Sequence, residues 1–113
     1  MIGGITTHVL DTSLGKPASG VPVSLRLRIG GAFDEIARAT TDADGRVSQF
    51  LPSVPLVAGT YQLVFETAGY FRAAERDTFF ERVTLEFHVA DSAQHYHVPL
   101  LLTAYGYTTY RGS

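Results

Sequence analysis

Val21-Pro22-Val23-Ser24-Leu25-Arg26-Leu27-Arg28-Ile29 is the stretch that decides the fold. Val21, Val23, Leu25, Leu27 and Ile29 fall on one side of an extended chain, and Ser24, Arg26 and Arg28 on the other. A period of two with one apolar and one polar face is the signature of a half-solvated antiparallel strand. Gly30-Gly31 ends it, and a weaker strand pattern returns over residues 33–41. Upstream, residues 5–11 alternate in the same way, with Ile5, Thr7 and Val9 opposed to Thr6, His8 and Leu10. Gly15-Lys16-Pro17 reads as a turn between the two.

Downstream, Asp42-Ala43-Asp44-Gly45 reads as a turn into a short strand from Arg46 to about Leu51, and residues 52–59 as a loop. Residues 60–66, 82–89, 95–102 and 104–110 are further strands, rich in Val, Leu, Phe, Tyr and Thr. Residues 68–78 are the single helix candidate, because Ala, Arg and Glu concentrate there. Seven or eight strands and one short helix at these spacings predict an all-β sandwich of two sheets.

The chain has 113 residues, enough for one domain over 1–113 and not for two cores. It is 45% hydrophobic and 18% charged, which excludes a disordered tail or a coiled coil. A net charge of −2 provides no bulk attraction to nucleic acid or an anionic membrane, and no apolar run approaches a membrane span. Cysteine is absent, so disulfides, thiolate metal sites and thiol catalysis are excluded. Met1 to Ile5 shows no basic region or signal-peptide core, and the chain ends in Arg-Gly-Ser, not a peroxisomal address. A cytoplasmic protein is the expectation.

The candidate chemistry is sparse. The Asp42-Ala43-Asp44-Gly45 run is superficially similar to a calcium loop, but Leu51 would occupy the twelfth position, where a bidentate carboxylate is needed. A turn requiring positive φ at glycine explains it better. His95 and His97 share one strand face; that pair fits either a polar face or two ligands of a metal site, and too few partners accompany it to expect a metal. His8 lies opposite Ile5 and Val9, as a partly exposed side chain or as a group able to move protons near neutrality. No nucleophile elbow, phosphate loop or dinucleotide fingerprint is present. Tyr105, Tyr107 and Tyr110 precede Arg111-Gly112-Ser113, as if a strand continued to the last residues.

Four segments together resemble one family. They are Thr7-His8-Val9-Leu10-Asp11, Thr41-Asp42-Ala43-Asp44-Gly45-Arg46, His95-Tyr96-His97-Val98-Pro99-Leu100-Leu101-Leu102, and Tyr105-Gly106-Tyr107-Thr108-Thr109-Tyr110-Arg111-Gly112-Ser113. The pattern is similar to that of the 5-hydroxyisourate hydrolases, the transthyretin-related enzymes of urate breakdown. It spans essentially the whole chain, and Thr103-Ala104 replaces the Ser-Pro that many members carry.

The resemblance implies a transthyretin-like sandwich of two four-stranded sheets and a homotetramer, a dimer of dimers with sites in the channel between dimers. It implies hydrolysis of 5-hydroxyisourate without metal or cofactor. Carried over residue by residue, it assigns catalysis to His8, Arg46, His97 and Ser113, and substrate binding to His8, Arg46, His97, Tyr110, Arg111 and Gly112. His97, followed by Val-Pro-Leu-Leu, matches the family's second histidine; His95 and His88 match no catalytic position. Two other readings compete. A transthyretin-like carrier would use the same fold without catalysis. A structural module similar to carboxypeptidase regulatory-type repeats would account for the turns at Gly15-Lys16-Pro17, Asp42 to Gly45 and Gly59-Thr60-Tyr61, but not for His8, His97 or the terminal motif.

Overall fold

The computed structural model describes residues 4–50 and 56–113. Nine strands and one helix follow in order: β1 (Gly4–Asp11), β2 (Lys16–Pro17), β3 (Pro22–Ile29), β4 (Ala32–Thr40), β5 (Arg46–Val47), β6 (Gly59–Phe65), α1 (Thr67–Ala73), β7 (Val83–Val89), β8 (His95–Leu102) and β9 (Tyr107–Thr109). One sheet has the order β4-β3-β6-β7, antiparallel throughout. The other runs β2-β1-β8-β9, with β5 also paired to β1. This sheet has five strands where the family resemblance implies four, because two-residue strands β2 and β5 each take a stretch of the same edge of β1.

The alternation in β1 is realised residue by residue: Ile5, Thr7, Val9 and Asp11 are buried, while Thr6, His8 and Leu10 are half-buried on the outer face. The inner faces of both sheets close over one core that includes Val9, Val23, Leu25, Tyr61, Leu63, Phe65, Phe71, Val83, Leu100 and Leu102. Ile29 departs from the expectation for its strand: it is 53% exposed. The β3–β4 hairpin runs past the end of the core and turns at Gly30 and Gly31, whose φ values of 62° and 86° suit a tight primed turn. The register of this hairpin shifts at Leu25/Arg26, a bulge that passes over Ile36.

The helix is shorter than residues 68–78. It stops at Ala73, and Glu75 adopts φ 55°. Arg76 N–H donates to Phe71 O and Glu75 N–H to Arg72 O, which is a Schellman ending. That reversal returns Arg76 to β1, where its guanidinium meets the buried Asp11 carboxylate at 2.7 Å. Tyr70 donates to the same carboxylate at 2.8 Å, and Leu14 N–H at 3.2 Å. Burial pushes the Asp11 carboxyl upward, but the hydrogen bonds from Arg76, Tyr70 and Leu14 outweigh it and the net shift is downward.

The strand expected over residues 46–51 is limited to Arg46–Val47; Leu51 and residues 52–55 lie outside the described residues. The last strand is Tyr107–Thr109 rather than 104–110. Thr103 closes a turn onto Gly106 O, through both its N–H and its hydroxyl, so Ala104 to Gly106 reverse the chain before pairing resumes.

Candidate active site

β1 carries the polar face of the five-stranded sheet and has a neighbour on each side. β8 runs parallel to it, with Thr6 opposite His97 and Gly4 opposite His95. β5 runs antiparallel on the other edge, with His8 opposite Arg46. The register therefore gathers His8, Arg46 and His97, which lie far apart in the chain, around one segment of β1.

The turn before β5 sets Arg46. Asp42 Oδ1 accepts from Asp44 N–H at 2.9 Å and from Arg46 N–H at 3.0 Å, and Gly45 N–H closes the turn onto Asp42 O. Gly45 has φ 73°, and its carbonyl accepts from Val9 N–H at 2.7 Å. A methyl group at Gly45 would fall on Val9 O and crowd Pro17 and Ala18. Only glycine allows this approach, which presses the turn onto β1 and leaves Arg46 beside His8.

The C-terminal segment supplies the third wall. Gly112 N–H donates to His97 O at 2.7 Å, forming an isolated antiparallel bridge. A methyl at Gly112 would overlap His97 Cδ2, so the bare glycine backbone lies against the imidazole. Ser113 then lines a cleft of about 260 Å³ whose walls also include Thr6, Arg46, Ser48, His95 and His97. No carboxylate side chain is among the described residues lining it. Burial lowers the pKa of His97, and the neighbouring charges of Arg46, His95 and His8 lower it further, so its neutral form is favoured.

Of the sequence-assigned residues, His97, Arg46 and Ser113 line the cleft directly; His8 adjoins through its pairing with Arg46, and Gly112 through its packing on His97. Tyr110 and Arg111 do not enter it. Within one chain they border a separate apolar hollow of about 190 Å³ with Leu85, Phe87, Tyr96 and Val98. There the Arg111 guanidinium lies 4.3 Å from the Tyr96 ring centre and donates to Gln94 Oε1 and His95 O. It fastens the terminal segment that carries Gly112 and Ser113. His88 borders the same hollow.

Thr6 is absent from the residues assigned from sequence, and His95 is weighed there only as a polar-face or metal-ligand partner of His97. Thr6 Oγ1 lies 2.8 Å from His97 Nδ1 and 2.9 Å from His95 Nε2. Its period-two relation to His8 is visible in the sequence; its register against His97 is not.

Together these features define a two-sheet sandwich of the transthyretin type with a cleft lined by Arg46 and histidines on the outer face of one sheet. The family described as "Transthyretin: HIUase/Transthyretin family" matches residues 5–112, and the chain belongs to it. The "5-hydroxyisourate hydrolase 2" of Rhizobium meliloti (strain 1021) is 47% identical over 116 aligned residues, covering 98% of this chain and 97% of that protein. The solved structure of Klebsiella pneumoniae 5-hydroxyisourate hydrolase superposes with a TM-score of 0.87 at 40% identity, covering 98% of this chain and all of the other. Sea bream transthyretin in complex with thyroxine gives a TM-score of 0.91 at 27% identity, covering 96% of this chain and 94% of that one.

Proposed function

We propose that the chain hydrolyses 5-hydroxyisourate to 2-oxo-4-hydroxy-4-carboxy-5-ureidoimidazoline, as the names of its relatives suggest. The observation that carries this reading is the convergence of a neutral-favouring His97 with Arg46 and His8 on one sheet face. Water attacks a carbonyl carbon of the six-membered ring. The proton it loses passes to an imidazole, a step contributing roughly 10²–10⁴-fold. Arg46 faces the developing oxyanion with fixed donors. The ring C–N bond then breaks, and the imidazolium returns the proton to the leaving nitrogen. His8 and His97 share the orientation and deprotonation of water, Ser113 assists from the cleft wall, and Gly112 keeps the His97 ring in place. Tyr110 and Arg111 serve by holding the terminal segment that carries Gly112 and Ser113. Neither a metal nor a cofactor takes part in this scheme.

The carrier reading is favoured by the likeness to a thyroxine-bound transthyretin. A cleft walled by Arg46, His95 and His97 favours a small, oxygen-rich substrate over an apolar hormone.

The assembly belongs to the same proposal: a homotetramer, built as a dimer of dimers, with the cleft facing the channel between dimers. Two features support it. Among the described residues, β7 and β9 are free edges of their sheets. Phe79, Tyr105, Tyr107 and Tyr110 are large and exposed. Light scattering at working concentration is expected to give four times the chain mass, and a monomer contradicts the assembly.

The activity is tested by generating 5-hydroxyisourate from urate with urate oxidase and following its near-ultraviolet decay. Catalytic amounts of the protein are expected to accelerate the decay. Unchanged decay with folded protein, together with thyroxine binding, would replace the hydrolase by the carrier.

A further inference from the structure

Two adjacent threonines on β1 have opposite fates. Thr7 faces the core, and its hydroxyl donates to Val98 O. Thr6 faces the cleft, and its hydroxyl contacts no backbone carbonyl: its hydrogen-bond partners among the described residues are the ring nitrogens His97 Nδ1 and His95 Nε2. A β-branched side chain has few χ1 choices, so the hydroxyl is held between the two rings.

The hydroxyl has a single proton, which it can donate to only one of the two nitrogens. With both imidazoles neutral, two arrangements satisfy both contacts and also give the hydroxyl proton a ring nitrogen as acceptor; a third, with both rings donating to Oγ1, leaves that proton without a ring acceptor. In the first, His97 Nδ1–H donates to Thr6 Oγ1 and Thr6 donates to His95 Nε2. His97 Nε2 is then bare, and His97 is a competent base. In the second, His95 Nε2–H donates to Thr6 and Thr6 donates to His97 Nδ1. His97 then carries its proton on Nε2 and cannot accept one from water. Wherever the hydroxyl proton is used between the rings, the tautomers of the two histidines are tied together through one hydroxyl.

Resting on the hydrolase reading above, we propose that Thr6 and His95 are positioning residues that hold His97 as the Nδ1–H tautomer, with Nε2 bare toward the cleft. His95 acts as the terminal acceptor of a His97–Thr6–His95 chain. No bond other than hydrogen bonds forms or breaks in the resting chain. During turnover, His97 Nε2 takes the proton from water while Nδ1–H keeps donating to Thr6, so the imidazolium is stabilised by the same contact. A third group that orients the base in this way is the general logic of catalytic triads, here built from a hydroxyl and a second imidazole in place of a carboxylate. Gly112 supplies the remaining constraint, because its backbone packs against the ring edge at Cδ2 and blocks rotation about the Thr6 contact.

The test combines a spectrum with kinetics. Long-range proton–nitrogen correlation of the imidazoles at about pH 8, above the ordinary histidine pKa of about 6.5, reports the tautomer without requiring turnover. Wild-type His97 is expected to show a protonated Nδ1 and a bare Nε2, and Thr6→Val to lose that preference. In the decay assay, Thr6→Val and His95→Ala are each expected to lower kcat by about 10-fold or more with KM changed by less than about 3-fold. Thr6→Ser, which restores the hydroxyl, should recover most of the loss. His95 is exposed, so His95→Ala removes no core contact and keeps the test informative if Thr6→Val folds poorly. Wild-type His97 with its proton on Nε2 would overturn the proposal. So would Thr6→Val and His95→Ala enzymes with unchanged kcat. If the wild-type protein leaves 5-hydroxyisourate decay unchanged, the hydrolase reading fails, and the spectrum still decides the tautomer.

Discussion

Replacing Gly45 with alanine separates two costs that glycine avoids, and Gly15 provides the control. Both have positive φ, 73° and 67°. At Gly15 a methyl would meet nothing within 4 Å, so Gly15→Ala carries only the left-handed backbone penalty, about 1–2 kcal/mol. At Gly45 the same methyl would overlap Val9 O and crowd Pro17 Cβ and Ala18 N. These atoms are not free to retreat, because Val9 O accepts from Ala18 N–H and Val9 N–H donates to Gly45 O. Such overpacking adds about 1–3 kcal/mol. The smaller entropy of the unfolded chain offsets about 0.4–1 kcal/mol in both variants. The net expectation is about 0.5–1.5 kcal/mol lost for Gly15→Ala and about 2–4 kcal/mol for Gly45→Ala. Urea denaturation at one fixed protein concentration measures both, since assembly makes apparent stability concentration-dependent. The catalytic consequence is separate. The turn must shift away from β1, moving Arg46 relative to His8, and a misplacement of about 1 Å costs up to 10²-fold in rate. Gly45→Ala should therefore lose kcat/KM while Gly15→Ala keeps it. Equal stability losses at the two positions, or full kcat/KM in Gly45→Ala, would refute the view that close approach of this turn places Arg46.

Three further expectations follow from the same geometry. Arg76→Met leaves the buried Asp11 carboxylate without its charged partner; discounted for the partial exposure of Arg76, the loss should be about 2–3 kcal/mol in urea denaturation. Glu75→Gly relieves the φ of 55° at the Schellman position and should raise stability by up to about 1 kcal/mol, read as a higher urea midpoint with unchanged slope. For His97, burial and then the Arg46 charge disfavour the imidazolium, so its folded pKa lies below the unfolded value. Protons then favour the unfolded chain: the contribution of His97 to stability is full above about pH 6.5 and is lost as pH falls through the folded pKa. The acid limb of kcat/KM should accordingly lie below pH 6.5, and Arg46→Ala should move it upward; a limb above 6.5 in the wild type contradicts the placement.

The strands of the core were legible because burial on one face enforces alternation. Residues 5–11 and 21–29 show it plainly, and β1 and β3 lie there. The helix end was not legible, because the left-handed cap falls on Glu75 rather than on a glycine, and Ala73 to Arg76 keep helix-favouring side chains. Ile29 misled because alternation records which face a residue takes, not where the partner sheet ends. The candidate residues of the family pattern were recognisable from motifs. Their meeting was not, since it depends on the parallel β1–β8 register and on a turn seated by Gly45. The same register hid Thr6, which has no unusual neighbour in sequence and becomes distinctive only opposite His97. Tyr110 and Arg111 show the converse: they adjoin Gly112 and Ser113 in sequence, yet both border the apolar hollow, where Tyr96, Gln94 and the His95 carbonyl hold the Arg111 guanidinium.

The central claim is that the cleft beside His97, rather than the apolar hollow bordered by Tyr110 and Arg111, carries the hydrolysis. Its most direct test is kcat/KM for 5-hydroxyisourate in His97→Ala relative to wild type, with folding verified by circular dichroism. A loss of about 10²–10⁴-fold is expected in a folded protein. A folded His97→Ala enzyme within a few-fold of wild type would contradict it.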